Sequence, residues 1–486
     1  MRIRIALSGL FLGRRTDAYE EPTVTSRYET TPVLSPQNFT ASLEYMERAR
    51  AVIPLGVTSS SRAAQRPVPI VVARAQGSRL YDIDGNEYID YLAGWGPMLL
   101  GHQSKPVVEA VRAQLERGEI FGTPHEGELE LAERIVRLVP CAEMVTFLSS
   151  GSEAVHLALA IARGATGRRR VLKFDGQFNG WIAPLRTNMP GMPAVGHHPP
   201  YAARPDAGWP PSGDEIVICP WNDIAAFEAE MERVGGSLAA VIMEPVACNW
   251  GSLAPVPGYL ERARELCDAY GAVLIFDEVI TGFRLALGGA QQLLGVKPDL
   301  ATFAKALGGG FPISAVAGRR EVMEAASEGP VRAFGTYNGS PVPVAAANAT
   351  LAELESRGSE LYASLERRSA NLASGILASA KKHAVPLRVS RVGSLLSLVW
   401  GLGRDPVTYF DVAASETAPL ELLGEELTLR GIYTGNGHKL LISAAHSDDD
   451  IAKTLHSFDN ALQVVASSTM RAKKSSLSTH YLAPEQ

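Results

Sequence analysis

Between about residues 140 and 320, short runs of apolar and β-branched residues alternate with longer stretches of helical period. MVTFLSS (144–150) precedes EAVHLALAIARGATG (153–167), and VLKF (171–174), EIVICP (215–220) and LAAVIMEP (238–245) follow. YLERARELCDAYG (259–271) then leads into AVLIFDE (272–278). Strand-length apolar runs separated by helices predict an α/β fold with a mainly parallel sheet flanked by helices. The helix after Gly151 is apolar almost all round through Val155, Leu157, Leu159 and Ala162, as a helix buried beside a sheet would be. Its N-terminus faces the carboxyl ends of the strands, the edge at which open α/β sheets bind ligands. Pro190 to Pro211 is rich in Pro, Gly and His and reads as a long surface loop or lid. From about Ala346 the pattern changes to helices followed by short strands, LRVSRVGSLLSLVWG and KLLISAAH, which predicts a smaller C-terminal lobe. The first 40 residues and the last 20 are polar and aperiodic, as weakly ordered tails are.

Charge and cysteine content narrow the partners. Lys and Arg number 46 against 52 Asp and Glu, a net charge of -6, so no basic field gathers nucleic acid or anionic membrane, and small molecules are the expected partners. No apolar run approaches the roughly 20 residues of a membrane-spanning helix. Cys141, Cys219, Cys248 and Cys267 lack C-x-x-C spacing, which argues against a zinc site and a secreted disulfide framework and fits the cytoplasm. The opening MRIRIALSGLFLGRR carries four arginines and no acid before Asp17; it reads as a tail, with an organelle presequence as the alternative.

Three motifs carry candidate chemistry. Lys305 is the only charged residue between Asp299 and Arg319. Burial favours the neutral amine, the form that attacks an aldehyde; alone, the residue reads equally as a lysine snorkelling from a strand end. In AVLIFDEV, five apolar residues run into Asp277 and Glu278. An acid at a buried strand end can keep a pyridine nitrogen protonated, with Val279 packed beneath the ring; a helix cap or structural ion pair is the competing reading. SSGSEA places Ser149, Ser150, Gly151 and Ser152 between strand and helix, where free N–H groups and the helix dipole favour a phosphate; a simple N-cap explains the isolated motif equally well. The glycines at 308–310 lack the spacing of a dinucleotide fingerprint.

Taken together and in this order, these motifs resemble the class III pyridoxal-phosphate aminotransferases, and within them the glutamate-1-semialdehyde aminomutase branch. The likeness runs from about Ile53 to about Leu462 and is carried by RLYDIDGNEYIDYLAGWGPMLLGH, SSGSEA, KFDGQFNGW, EPVACNWG, FDEV, ATFAKALGGGFP and GTYNGSP. It implies fold type I, with a seven-stranded, mainly parallel sheet in a large cofactor-binding domain (101–345). A smaller α+β domain is drawn from both ends (41–100 and 346–466), between an N-terminal extension (1–40) and a flexible tail (467–486). The resemblance assigns the Schiff base to Lys305, the ring-nitrogen partner to Asp277 and phosphate contacts to Gly151 and Ser152. It puts Phe178 on a face of the ring and Asn249 near its polar edge. Thr336 matches a threonine that reaches the phosphate of a neighbouring subunit, implying a homodimer with shared sites. Ser59, Arg62 and Trp95 match a segment that closes over the substrate, where Arg62 is suited to a bidentate carboxylate pair.

The chain departs from the aminomutases where the substrate sits. Their Tyr-His-Gly is Phe178-Asn179-Gly180 here, and Ser340 replaces an Asn before Pro341. Where they carry an acid in Ser-Gln-Phe-Glu, the chain reads TGNGHKLL, with His438 and Lys439. The expected activity is therefore ping-pong amino transfer between an amine or amino acid and a carbonyl compound of the 2-oxo acid type, with Lys305 as proton-shifting base. Intramolecular amino transfer, decarboxylation and a catalytically inactive binding protein on the same fold are the alternatives.

Overall fold

The computed structural model describes residues 37–480 apart from 193–200, 202, 205–212, 214 and 436. The described residues from 38 onward form one compact unit. The arginine-rich opening and most of the proposed Pro190–Pro211 lid lie outside the described residues.

The first strands, β1 (Val72–Gln76), β2 (Arg79–Asp82) and β3 (Glu87–Asp90), form an antiparallel meander. The large sheet is built from β4 (Met144–Leu148), β5 (Arg170–Phe174), β6 (Ile216–Cys219), β7 (Leu238–Met243), β8 (Val273–Asp277), β9 (Leu300–Phe303) and β10 (Ser314–Gly318). Its order is β4-β10-β9-β8-β7-β5-β6, parallel except for β10, which runs antiparallel to both of its neighbours. Every residue of β6, β7, β8, β9 and β10 is buried. A strand covered on both faces has no polar side to alternate with, which is why these strands read as continuous apolar runs.

The helix Gly151–Thr166 starts where expected. Ser150 caps it, its Oγ accepting from the Glu153 N–H at 3.3 Å, and Gly167 ends it at a φ of 66°, a left-handed conformation glycine adopts without a Cβ penalty. Its apolar side chains pack on the sheet and on the helix Arg320–Ser327.

The C-terminal part adds β11 (Leu387–Val392), β12 (Leu395–Trp400), β13 (Ile432–Tyr433) and β14 (Lys439–Leu441). β11, β12 and β14 form an antiparallel sheet, whereas β13 joins the N-terminal meander beside β3 through the Ile432–Ile89 and Tyr433–Asp90 pairs. The helix Pro341–Lys382 spans the 345/346 position at which the sequence pattern changes, and the last helix, Asp448–His480, continues into the stretch expected to be a tail. Its first turns bury Ile451, Phe458, Leu462 and Val465 against the core, which seeds a helix that the following residues extend. No helix among the described residues is long and apolar enough to cross a membrane.

Candidate active site

The ends of five strands of the large sheet bring the sequence motifs to one edge. Asp277 is the last residue of β8 and is 4% exposed. Its Oδ2 accepts from Asn179 Nδ2 at 3.0 Å, and its Oδ1 accepts from the Val279 N–H at 3.2 Å and from Thr302 Oγ1, opposite it on β9, at 3.3 Å. Burial pushes the Asp277 carboxyl above its usual range, while these donors pull it down.

Lys305 follows β9 and opens a short turn, Lys305–Gly308, with its own φ at 49°. A non-glycine residue held left-handed costs on the order of 1–2 kcal/mol, strain of the kind that persists where the surroundings fix a functional group. Burial, followed by repulsion from Lys439, lowers the Lys305 ammonium to about 8, against the pull of Glu244 and Asp277. Gly96 lies against it, since a Cβ there would come within 3.4 Å of Lys305 Cδ. A cavity of about 20 Å³ is lined by Lys305, Trp95, Cys248, Asn249, Ile280 and Lys439, with Leu395 and Leu441.

At the end of β7, Glu244 is 3% exposed and ties two loops together. Its Oε1 accepts from the Phe178 N–H at 2.8 Å, and its Oε2 accepts from the Cys248 N–H at 3.0 Å and Asn249 Nδ2 at 3.4 Å. Gln177 exchanges two further hydrogen bonds with the Glu244 backbone. Burial, then the Asp277 charge, raises the Glu244 carboxyl to about 7.

The helix N-terminus at Gly151 closes the same edge. Ser152 Oγ accepts from the Trp181 N–H at 2.8 Å, and Ser314 Oγ on β10 donates to the Ser150 carbonyl at 2.7 Å. A Cβ at Gly151 would press to 3.1 Å on both Val279 methyls, and one at Gly180 would reach 3.0 Å from Ser152 Cα. The Phe178–Gly180 loop, the helix start and Val279 are thus in close contact, with Phe178 37% exposed.

Of the residues singled out in the sequence, Ser150, Gly151, Ser152, Phe178, Asn249, Asp277, Val279, Lys305 and Trp95 come together at this edge. Ser59, Arg62 and Thr336 make no described hydrogen bond with these residues. Ser59 meets Ser61 and Arg62 meets Thr58, all exposed, and Thr336 lies on an exposed stretch that includes Phe334 and Tyr337. Sequence reasoning missed Asn179 as the partner of Asp277 and Glu244 as a site carboxylate, although Glu244 carries the signal that marked Asp277, an acid ending an apolar strand.

The donor set fits pyridoxal phosphate: an amine depressed toward neutrality, a buried carboxylate for a ring nitrogen, and a capped helix start with N–H groups and hydroxyls for a phosphate. Asn179 Oδ1 is buried without a partner beside Asp277, as the edge of a polar ligand site would be.

The family model for class III aminotransferases matches residues 60–406. A glutamate-1-semialdehyde 2,1-aminomutase of Syntrophus aciditrophicus is 41% identical over 432 residues, which cover 85% of this chain and 96% of the relative. Among solved structures, an omega-transaminase from Sphaerobacter thermophilus superposes with a TM-score of 0.81 at 34% identity, covering 87% of this chain and 98% of its own. A transaminase with pyridoxal phosphate bound gives a TM-score of 0.80 at 29% identity, over 88% of this chain and 98% of its own. The seven-stranded sheet, the residues gathered at its edge and these matches lead to one conclusion: the chain belongs to the class III aminotransferases, a pyridoxal-phosphate-dependent family of fold type I.

Proposed function

We propose that the chain is a transaminase that moves an amino group from an amino acid or amine to a carbonyl acceptor of the 2-oxo acid type, working in the cytoplasm as a homodimer. The observation that carries this reading is the pairing of a depressed Lys305 amine with a buried Asp277 fixed by three donors. When bound, pyridoxal phosphate supplies an aldehyde that captures amines and a protonated ring that withdraws electrons from the carbon beside the captured nitrogen. Lys305 would hold the cofactor through its Nζ, and the same nitrogen, when free, would take the proton from the donor carbon and redeliver it. Asp277 keeps the ring nitrogen protonated, and Asn179, Val279 and Thr302 hold Asp277 in place.

The helix start at Ser150, Gly151 and Ser152 receives the phosphate. Phe178 and Val279 flank the ring, and Asn249 serves its polar edge. Residues 101–345 carry these groups, while the 41–100 and 346–466 segments close the substrate side with Ser59, Arg62 and Trp95. Thr336, on its exposed stretch, serves the phosphate site of a second copy of the chain.

The test is the absorption spectrum of the purified protein titrated with amino acids and amines. Bleaching of the bound cofactor's band by a donor and its recovery with a 2-oxo acid is the expected result; a protein that takes up no pyridoxal phosphate refutes the reading. Intramolecular amino transfer is the second reading, favoured by the aminomutase names of relatives at 38–42% identity. It predicts turnover without a separate acceptor, which steady-state product analysis reads directly. Lys439 and His438, at a segment where aminomutases carry an acid, favour the first reading.

A further inference from the structure

Three buried cations near the site are provided for unequally. Lys173, fully buried on β5, donates to the carbonyls of Gln177, Leu185 and Thr187 at 3.1, 3.2 and 2.7 Å. Arg284, 1% exposed, donates to the carbonyls of Gly96 and Ile442 at 2.6 and 3.1 Å and to Ser394 Oγ at 3.4 Å. Both are structural cations whose charge is spread over fixed oxygens. Among the described residues Lys439, 8% exposed on β14, donates only to Asn249 Oδ1, at 3.4 Å, and forms no ion pair with a carboxylate. It lines the cavity that Lys305 lines. Strand alternation turns Lys439 and Leu441 to that cavity and Leu440 into the main core.

A buried ammonium is retained only where an opposite charge or several acceptors offset its desolvation. Glu244 is the carboxylate whose charge acts on Lys439, since burial keeps the neighbouring Cys248 thiol neutral, and its oxygens already accept from Phe178, Cys248 and Asn249. Lys439 is thus a cation with donors to spare, directed at the space beside the reactive amine.

We propose that Lys439 is the specificity-determining cation of this site and pairs with a carboxylate carried close to the amine of the donor, so that the substrates are α- or β-amino acids and the matching oxo acids. The inference rests on the transaminase reading and deepens it. Lys439 and Lys305 line one small cavity, which favours a carboxylate on the α or β carbon over a distal one.

The experiment compares holoenzyme with Lys439→Met, which keeps length and removes charge, and with Lys439→Arg, which keeps charge. Donors are offered in pairs that differ by a carboxylate: alanine and ethylamine, 3-amino-3-phenylpropanoate and 1-phenylethylamine. Binding of the unreactive propanoate and 3-phenylpropanoate is followed by calorimetry. In Lys439→Met the preference in kcat/KM for the carboxylate member should fall by roughly 30-fold or more, with a similar weakening of carboxylate binding, as expected for loss of a charge-assisted pair; Lys439→Arg should restore part of both. An equal fall for both members of each pair, or carboxylate binding that does not weaken, overturns the proposal and leaves Lys439 as a group that only depresses Lys305. Amine turnover that persists in that case keeps the transaminase reading intact. Failure of every donor with wild-type holoenzyme sinks that reading, and the calorimetry still decides whether Lys439 binds carboxylates.

Discussion

Asp277 and Lys439 are both buried ionisable groups that act electrostatically on Lys305, and the fold treats them differently. Asp277 accepts from a side-chain amide, a backbone N–H and a hydroxyl drawn from three segments; Lys439 donates one long hydrogen bond among the described residues. The cofactor side is held by groups that partner one another, so its geometry exists before any ligand arrives. The substrate side is left with unspent donors, and its other expected residues, Ser59 and Arg62, are exposed. A constant cofactor rewards preorganisation, whereas substrate choice is set by which charge a ligand must bring to satisfy the pocket.

The largest effect that this contrast predicts is on the cofactor side. In the proposed roles Lys305 attaches the cofactor and moves the proton, so Lys305→Ala should lower turnover by at least about a thousandfold. The cofactor of the variant should also be removable by gel filtration without added amine. Retained turnover would break the assignment. Asp277→Asn keeps shape and loses charge; kcat should fall about 100- to 1000-fold, comparable with loss of a preorganised electrostatic partner. Far-UV circular dichroism should remain that of wild type, because Asn preserves the acceptor facing Val279 and Thr302.

Much of the cofactor side was legible in the sequence because burial leaves a compositional trace. Lys305 is conspicuous as a lone charge among apolar residues, and Asp277 as an acid ending a five-residue apolar strand. Glu244 has the same trace after LAAVIM, but nothing local shows that it will gather the 178 and 248 N–H groups. Asn179 reads only as a departure from a motif; its bond to Asp277 joins positions 98 residues apart. Lys173 and Lys439 each look like the polar position of a short strand, and only tertiary packing shows that one meets three carbonyls and the other a single amide oxygen. The joining of β13 to the N-terminal meander is equally invisible, since two residues carry no period.

Asn179 gives a middle-sized test of how much of the cofactor side depends on such long-range partners. Asn179→Ala removes a hydrogen bond to a carboxylate, which should cost about tenfold in kcat/KM. The sign of the pH effect follows from the bond's direction. The amide donor stabilises the ionised Asp277 and lowers its pKa, so its loss raises that pKa and moves the acid limb of the rate profile to higher pH. Asn179→His, which keeps an N–H donor, should recover part of the loss. An acid limb that stays in place in Asn179→Ala would mean that Val279 and Thr302 suffice to hold the charge.

The smallest effect concerns the influence of one side on the other. Cofactor capture by the apoprotein needs the neutral Lys305 amine, so its rate should rise with pH through about 8, well below the range of an ordinary lysine. Two causes lower Lys305, burial first and Lys439 second, and they separate in Lys439→Met. Removing the second positive charge relieves repulsion of the Lys305 ammonium, so its pKa rises and the midpoint of capture moves up in pH. At pH 7.5 the variant should therefore capture pyridoxal phosphate more slowly, by roughly threefold, with the difference vanishing at high pH where Lys305 is neutral in both proteins. Stopped-flow absorbance across the pH range reads this directly. An unmoved midpoint would assign the depression of Lys305 to burial alone and confine Lys439 to the substrate side, and a midpoint that moves would show one cation acting on both.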